Sequence, residues 1–158
     1  MPARTAQIML PDPDATVALA RRIAPALRPG DVLLLSGPVG AGKTHFARSL
    51  IQALLPTPED VPSPTFTLVQ TYQGAAFEIW HTDLYRLTQA DEVIELGLLE
   101  AFENAVTLVE WPDRLGDLAP SDALSLGFSP QTEEDQRVLD LTWRDPRWDD
   151  RAKRFSNE

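Results

Sequence analysis

The chain contains no cysteine, which excludes disulfides and thiolate metal sites. Histidine is almost as scarce: His45 and His81 are the only two, too few for a histidine-rich centre, so any metal is expected to be held by oxygen ligands. Long apolar runs are also missing. No stretch approaches the ~18 residues of a membrane helix, and the opening residues, MPARTAQIMLPDPD, lack the continuous apolar core of a secretory signal. A cytoplasmic protein with no membrane partner is expected. Positive charge is in short supply as well: 14 Lys and Arg stand against 24 Asp and Glu, a formal net charge of −10. An independent grip on DNA or RNA needs a basic patch that displaces counterions, and this balance argues against one. A protein partner is the simpler expectation.

What is present fits one domain over residues 1–158. A chain of this length buries about 70% of its unfolded surface. Eight of the fourteen prolines lie in residues 56–64 and 112–146, where they punctuate loops without forming a low-complexity tract.

Hydrophobic spacing then predicts alternating elements. TAQIML is a short first strand, and DATVALARRIAPAL a helix capped by Asp14 or Thr16, with Val17, Leu19, Ala20, Ile23 and Leu27 at roughly helical spacing. VLLLSG is an all-apolar run of the kind buried in a parallel strand; it feeds a Gly-rich loop and the helix KTHFARSLIQALL. FTLVQTY and AFEIWHTDLY flank the short turn QGA as an antiparallel hairpin. QADEVIELGLLEAFE is predicted as one helix, AVTLVEW as a strand, and DALSLGF with QRVLDLTW as a second hairpin. No element is assigned to residues 145–158. The fold class expected is α/β: a single domain with a mixed central sheet and helices packed around it.

The loop GPVGAGKTHF, residues 37–46, matches G-x-x-x-x-G-K-[ST] in full. Glycines let successive backbone N–H groups turn inward around phosphate oxygens, and the following helix presents its positive end. Lys43 is expected on the β- and γ-phosphates and Thr44 on Mg²⁺. Such a loop needs an acid for the metal and a group to orient the attacking water. Asp83 in WHTDLY and Glu110 in TLVEW each end an apolar run, at the mouth where open α/β sheets place their ligands. Glu110 fills the position after an apolar strand where an aspartate is usual. His81, two residues before Asp83, faces the same side of its strand and is either a hydrogen-bonded structural histidine or a catalytic one. Ser63 and Thr65 of SPTFTL offer hydroxyls in the manner of a switch loop, or simply lead into a strand. Trp111 is either a core aromatic or a wall of the site.

Asn-Lys-x-Asp, the guanine reader of translation-type GTPases, does not occur. DRLG, residues 113–116, formally fits D-x-x-G but follows Pro112 outside a strand. No arginine cluster lies between Ser63 and Pro120, as the lid of a small-molecule kinase would require. Hydrolysis coupled to a partner is favoured; a P-loop kinase for a small metabolite and a nucleotide-gated binding module with negligible turnover are the alternatives.

GPVGAGKT, SPTFTLVQTY, HTDLYRL, ELGLLEAFE and LVEWPDRL stand in the order and rough spacing of one family. The chain resembles the TsaE (YjeE) family of small bacterial P-loop ATPases over nearly its whole length, from PDPDAT to LDLTW. The resemblance implies an ATPase that works with the TsaB and TsaD proteins in making N6-threonylcarbamoyladenosine on tRNA next to the anticodon, with tRNA met only through the complex. It implies ATP or ADP on the loop residues Pro38, Val39, Gly40, Ala41, Gly42, Lys43, Thr44 and His45, and Mg²⁺ on Thr44 and Glu110. Asp83 looks like the acid needed for hydrolysis, and Thr65 like a switch residue. Trp111 is similar to the family's site-lining tryptophan, and Thr16 to a position near the nucleotide base.

Overall fold

The computed structural model describes residues 3–38, 41–57, 59–61, 68–87, 89, 91–131 and 136–156. Thr65, Ser63, Val39 and Gly40 lie outside the described residues. In chain order the elements are β1 (Arg4–Leu10), α1 (Pro13–Ile23), β2 (Val32–Ser36), α2 (Lys43–Leu54), β3 (Val69–Gln73), β4 (Glu78–Asp83), α3 (Asp91–Glu95), α4 (Leu98–Asn104), β5 (Val106–Glu110), β6 (Leu124–Pro130), β7 (Arg137–Trp143) and α5 (Asp149–Ser156), with 3₁₀ turns at Ala24–Ala26, Pro112–Leu118 and Pro146–Trp148.

The seven strands form one sheet in the order β1-β7-β6-β2-β5-β4-β3. Its centre is parallel, β6 with β2, β2 with β5 and β5 with β4. Both flanks are antiparallel: the β3–β4 hairpin on one side, and β6–β7 with β1 on the other. The mixed α/β sheet expected from the sequence is therefore observed. β2 explains why its run is apolar throughout. Leu33 and Leu35 point into a core with Leu19 and Ile23 of α1 and Phe46, Leu50 and Ile51 of α2. Val32 and Leu34 point the other way, toward Val93, Leu98, Phe102, Val109 and Leu115. A strand covered on both faces has no position left for a polar side chain, and each fully buried Leu or Ile contributes about 2 kcal/mol of transfer free energy.

Two elements depart from the sequence reading. The first helix is capped by Asp12, whose carboxylate accepts from the Ala15 N–H at 2.8 Å; Pro13 opens it, as its ready-set φ favours, so Asp14 and Thr16 lie inside the first turns. The segment predicted as one helix over 89–103 is two, α3 and α4, separated at Gly97, which adopts φ +81. A left-handed glycine ends the first helix and redirects the chain. Residues 145–156 turn back onto the sheet. Trp148 and Phe155 are completely buried there, the Trp148 indole N–H donates to the Asp122 carbonyl at 2.8 Å, and Arg151 donates to the buried Asp31 carboxylate at 2.6 Å. Among the described residues no helix is long and apolar enough to cross a membrane.

Candidate nucleotide site

β2 ends at Ser36 and the chain turns through Gly37 and Pro38 before Gly42 opens α2. Two of the glycines are required by local geometry. Gly37 adopts φ +135, and a Cβ there would stand 2.5 Å from the Phe128 carbonyl oxygen of β6. Gly42 adopts φ +105, which lets the loop deliver α2 with its first N–H groups free to face a ligand. The Ala41 N–H donates to the Pro38 carbonyl at 3.1 Å, and Arg137 of β7 reaches the Ala41 carbonyl at 3.1 Å, tying the loop to the neighbouring strand.

Lys43, the first residue of α2, is buried. Its ammonium donates to the Gly37 carbonyl and lies 3.7 Å from the centroid of the Trp111 ring, a cation–π distance. Burial lowers the Lys43 pKa below the ordinary 10.5, with Glu110, Asp83 and Asp113 opposing that shift by their charge. Trp111 follows β5 directly in a left-handed conformation, φ 59, and its ring packs on Tyr85 with centroids 4.9 Å apart. It is half-buried between Tyr85 and Lys43.

Parallel pairing of β4 with β5 puts Asp83 directly opposite Glu110 and brings both strand ends to the loop. The Thr44 hydroxyl donates to Glu110 Oε1 at 2.8 Å. The other carboxylate oxygen, Oε2, accepts from His81 Nε2 at 2.7 Å. Asp83 accepts from the Tyr85 backbone N–H at 2.9 Å, a short turn that fixes its carboxylate beside the strand end. Lys43, Thr44, Asp83, Glu110 and Trp111 are thus gathered by α2, β4, β5 and the residue that follows β5, around one loop. Thr16 is buried in α1, and His45 is exposed on α2 with its Nε2 3.2 Å from the Pro13 carbonyl. Neither Tyr85 nor the His81–Glu110 hydrogen bond was readable from the motifs. The alternation of HTD put His81 and Asp83 on one face, but only the register with β5 shows that His81 reaches Glu110.

A hydroxyl and a carboxylate meeting at the start of a phosphate-loop helix are hard oxygen donors of the kind Mg²⁺ takes. Mg²⁺ characteristically uses one or two protein ligands and fills its remaining positions with phosphate oxygens and water. No group of three or more His, Asp or Glu is gathered among the described residues.

The family model described as threonylcarbamoyl adenosine biosynthesis protein TsaE matches residues 10–139. The chain belongs to the TsaE family. Among its relatives is the tRNA threonylcarbamoyladenosine biosynthesis protein TsaE of Rickettsia bellii, 36% identical over 136 residues, which span 86% of this chain and 94% of that protein. The protein of the same name from Bacillus subtilis is 36% identical over 132 residues, 83% of this chain and 81% of its own. The crystal structure of Bacillus subtilis YdiB superposes with a TM-score of 0.81 at 28% identity, covering 99% of this chain and 97% of that one. The family resemblance carried by the five motifs and the α/β fold expected from hydrophobic spacing both stand.

Proposed function

We propose that this TsaE-family chain binds Mg-ATP and hydrolyses it as the ATPase component of tRNA threonylcarbamoyladenosine synthesis, working with TsaB and TsaD. The observation that carries the reading is the meeting of Thr44 Oγ1 and Glu110 Oε1 at 2.8 Å beside the buried Lys43. Family membership supports the pathway. The loop and α2 N–H groups would hold the phosphates. Lys43 leaves the Gly37 carbonyl and takes a phosphate oxygen, a stronger charge-assisted partner than a neutral carbonyl. Thr44 and Glu110 would hold Mg²⁺, which when bound supplies neutralisation of the charge on the β- and γ-phosphates. Asp83, facing Glu110 across the strand ends, is the group that orients the attacking water and receives its proton. Trp111 and Tyr85 wall the site on one side.

The test is the fate of γ-³²P from ATP in the presence of TsaB and TsaD. All label is expected in inorganic phosphate, with the yield at least a hundredfold lower in Glu110→Gln, given the share of the barrier carried by positioned charge. Label in an added small metabolite would contradict hydrolysis and favour a kinase.

A further inference from the structure

The hydrogen-bond partner of Glu110 within β4 has no place in the mechanism above. His81 is completely buried and Glu110 is 2% exposed, so the 2.7 Å contact between Nε2 and Oε2 is made out of reach of bulk water. The contact is diagonal: His81 stands opposite Leu108 and Asp83 opposite Glu110, so the imidazole leans along the sheet to meet a carboxylate two residues on. Glu110 Oε2 is thereby occupied, and Oε1 is left to the Thr44 hydroxyl. The other ring nitrogen, Nδ1, is buried with no hydrogen-bond partner among the described residues.

A histidine kept only to knit the sheet together would be expected to satisfy both nitrogens, because an unpartnered buried polar atom costs about 1–3 kcal/mol. Buried polar pairs are also a weak source of stability, since apolar residues of similar volume often serve as well or better. The polar capacity of His81 is spent on one oxygen of one carboxylate. Partners behind a metal-binding group fix its orientation and determine how well it binds.

We infer that His81 is a positioning residue: its Nε2–H holds the Glu110 carboxylate in the rotamer that presents Oε1 at Thr44, and so determines how strongly Mg²⁺ is coupled to nucleotide binding. This rests on the reading of Glu110 as a Mg²⁺ ligand given above.

The test uses the affinity of the full chain for a fluorescent N-methylanthraniloyl-ATP, measured with excess Mg²⁺ and again in EDTA. The ratio of the two affinities is the Mg²⁺-linked gain. His81→Gln can place an amide N–H where Nε2 stands, whereas the shorter His81→Asn cannot reach Oε2. The expected result is a gain reduced about tenfold in His81→Asn, largely restored in His81→Gln, with EDTA affinity unchanged in both. Adding His81→Asn to Glu110→Gln is expected to cause no further loss, because the two act through one oxygen. A wild-type gain in His81→Asn, alongside a reduced one in Glu110→Gln, overturns the positioning role alone. A wild-type gain in Glu110→Gln overturns the metal reading itself and the role of His81 with it. Should His81→Asn fail to fold, His81→Gln against Glu110→Gln decides: a gain as low in His81→Gln as in Glu110→Gln overturns the proposal, and a near wild-type gain supports it.

Discussion

Lys43 is held by one carbonyl and one aromatic face. Neither compensates fully for its burial, which is why its pKa lies below 10.5. The sign of the consequence follows from which state binds more protons. Between the lowered folded value and 10.5 the unfolded chain is the more protonated, so the burial penalty is relieved and stability rises with pH in that window. Phosphate binding has the opposite preference, because it needs the ammonium. ATP affinity is therefore expected to fall as pH rises through the lowered Lys43 value, at a pH below 10.5, and Lys43→Arg is expected to remove that fall while binding persists. Titrations with fluorescent ATP from pH 7 to 10.5 measure it; a flat wild-type profile over the whole range would contradict this account. At this scale the motifs made much of the candidate site legible. Lys43, Thr44 and Glu110 follow from loop spacing and strand ends, because the chemistry of phosphates restricts residue type at fixed offsets. The state of Trp111 was not legible: a left-handed tryptophan against a buried ammonium depends on the β5 exit and on Tyr85, two segments that approach only in the fold.

Elements were legible where pattern and burial coincide. β2 and β5 are covered on both faces and read as apolar runs, that of β5 interrupted by Thr107; β6 and β7 alternate and read as a hairpin. The break at Gly97 escaped because the apolar spacing of QADEVIELGLLEAFE continues across it, and spacing carries no information about a positive φ. The last helix escaped for a different reason. α5 has eight residues with Arg, Lys and Asp on most positions, and its burial is supplied by Trp148, Ala152 and Phe155 docking beside the sheet, not by its own propensity. Its anchor is ionic as well as apolar. Arg151 donates to Asp31, which also accepts from the Arg28 backbone N–H at 2.7 Å, and the guanidinium lies 4.6 Å from the Trp148 ring centroid. Arg151→Ala would remove the closer of two cations on the buried Asp31 carboxylate, leaving the Arg147 guanidinium at 3.7 Å and the Arg28 N–H. A destabilisation of about 1.5–3 kcal/mol is expected, read from urea unfolding, and a loss under ~0.5 kcal/mol would contradict this anchoring role for α5.

The whole molecule joins parallel strands β2, β4 and β5, which deliver the loop and both acids to one end of the sheet, to the outer strands β1, β3 and β7, which pair antiparallel and carry none of them. The flanks complete the fold; β7 also steadies the loop through Arg137. A net charge of −10 suits docking on proteins better than holding tRNA alone, which agrees with the proposed ATPase acting on tRNA through TsaB and TsaD. A site of this kind can remain incomplete until a partner orders its surroundings. The most direct measurement is therefore phosphate release from Mg-ATP by the chain alone and with TsaB and TsaD, beside Lys43→Ala and Glu110→Ala. The account predicts release that the partners stimulate and that both substitutions abolish. No release in any mixture, with ATP binding intact, would contradict it and make nucleotide occupancy, not hydrolysis, the functional event.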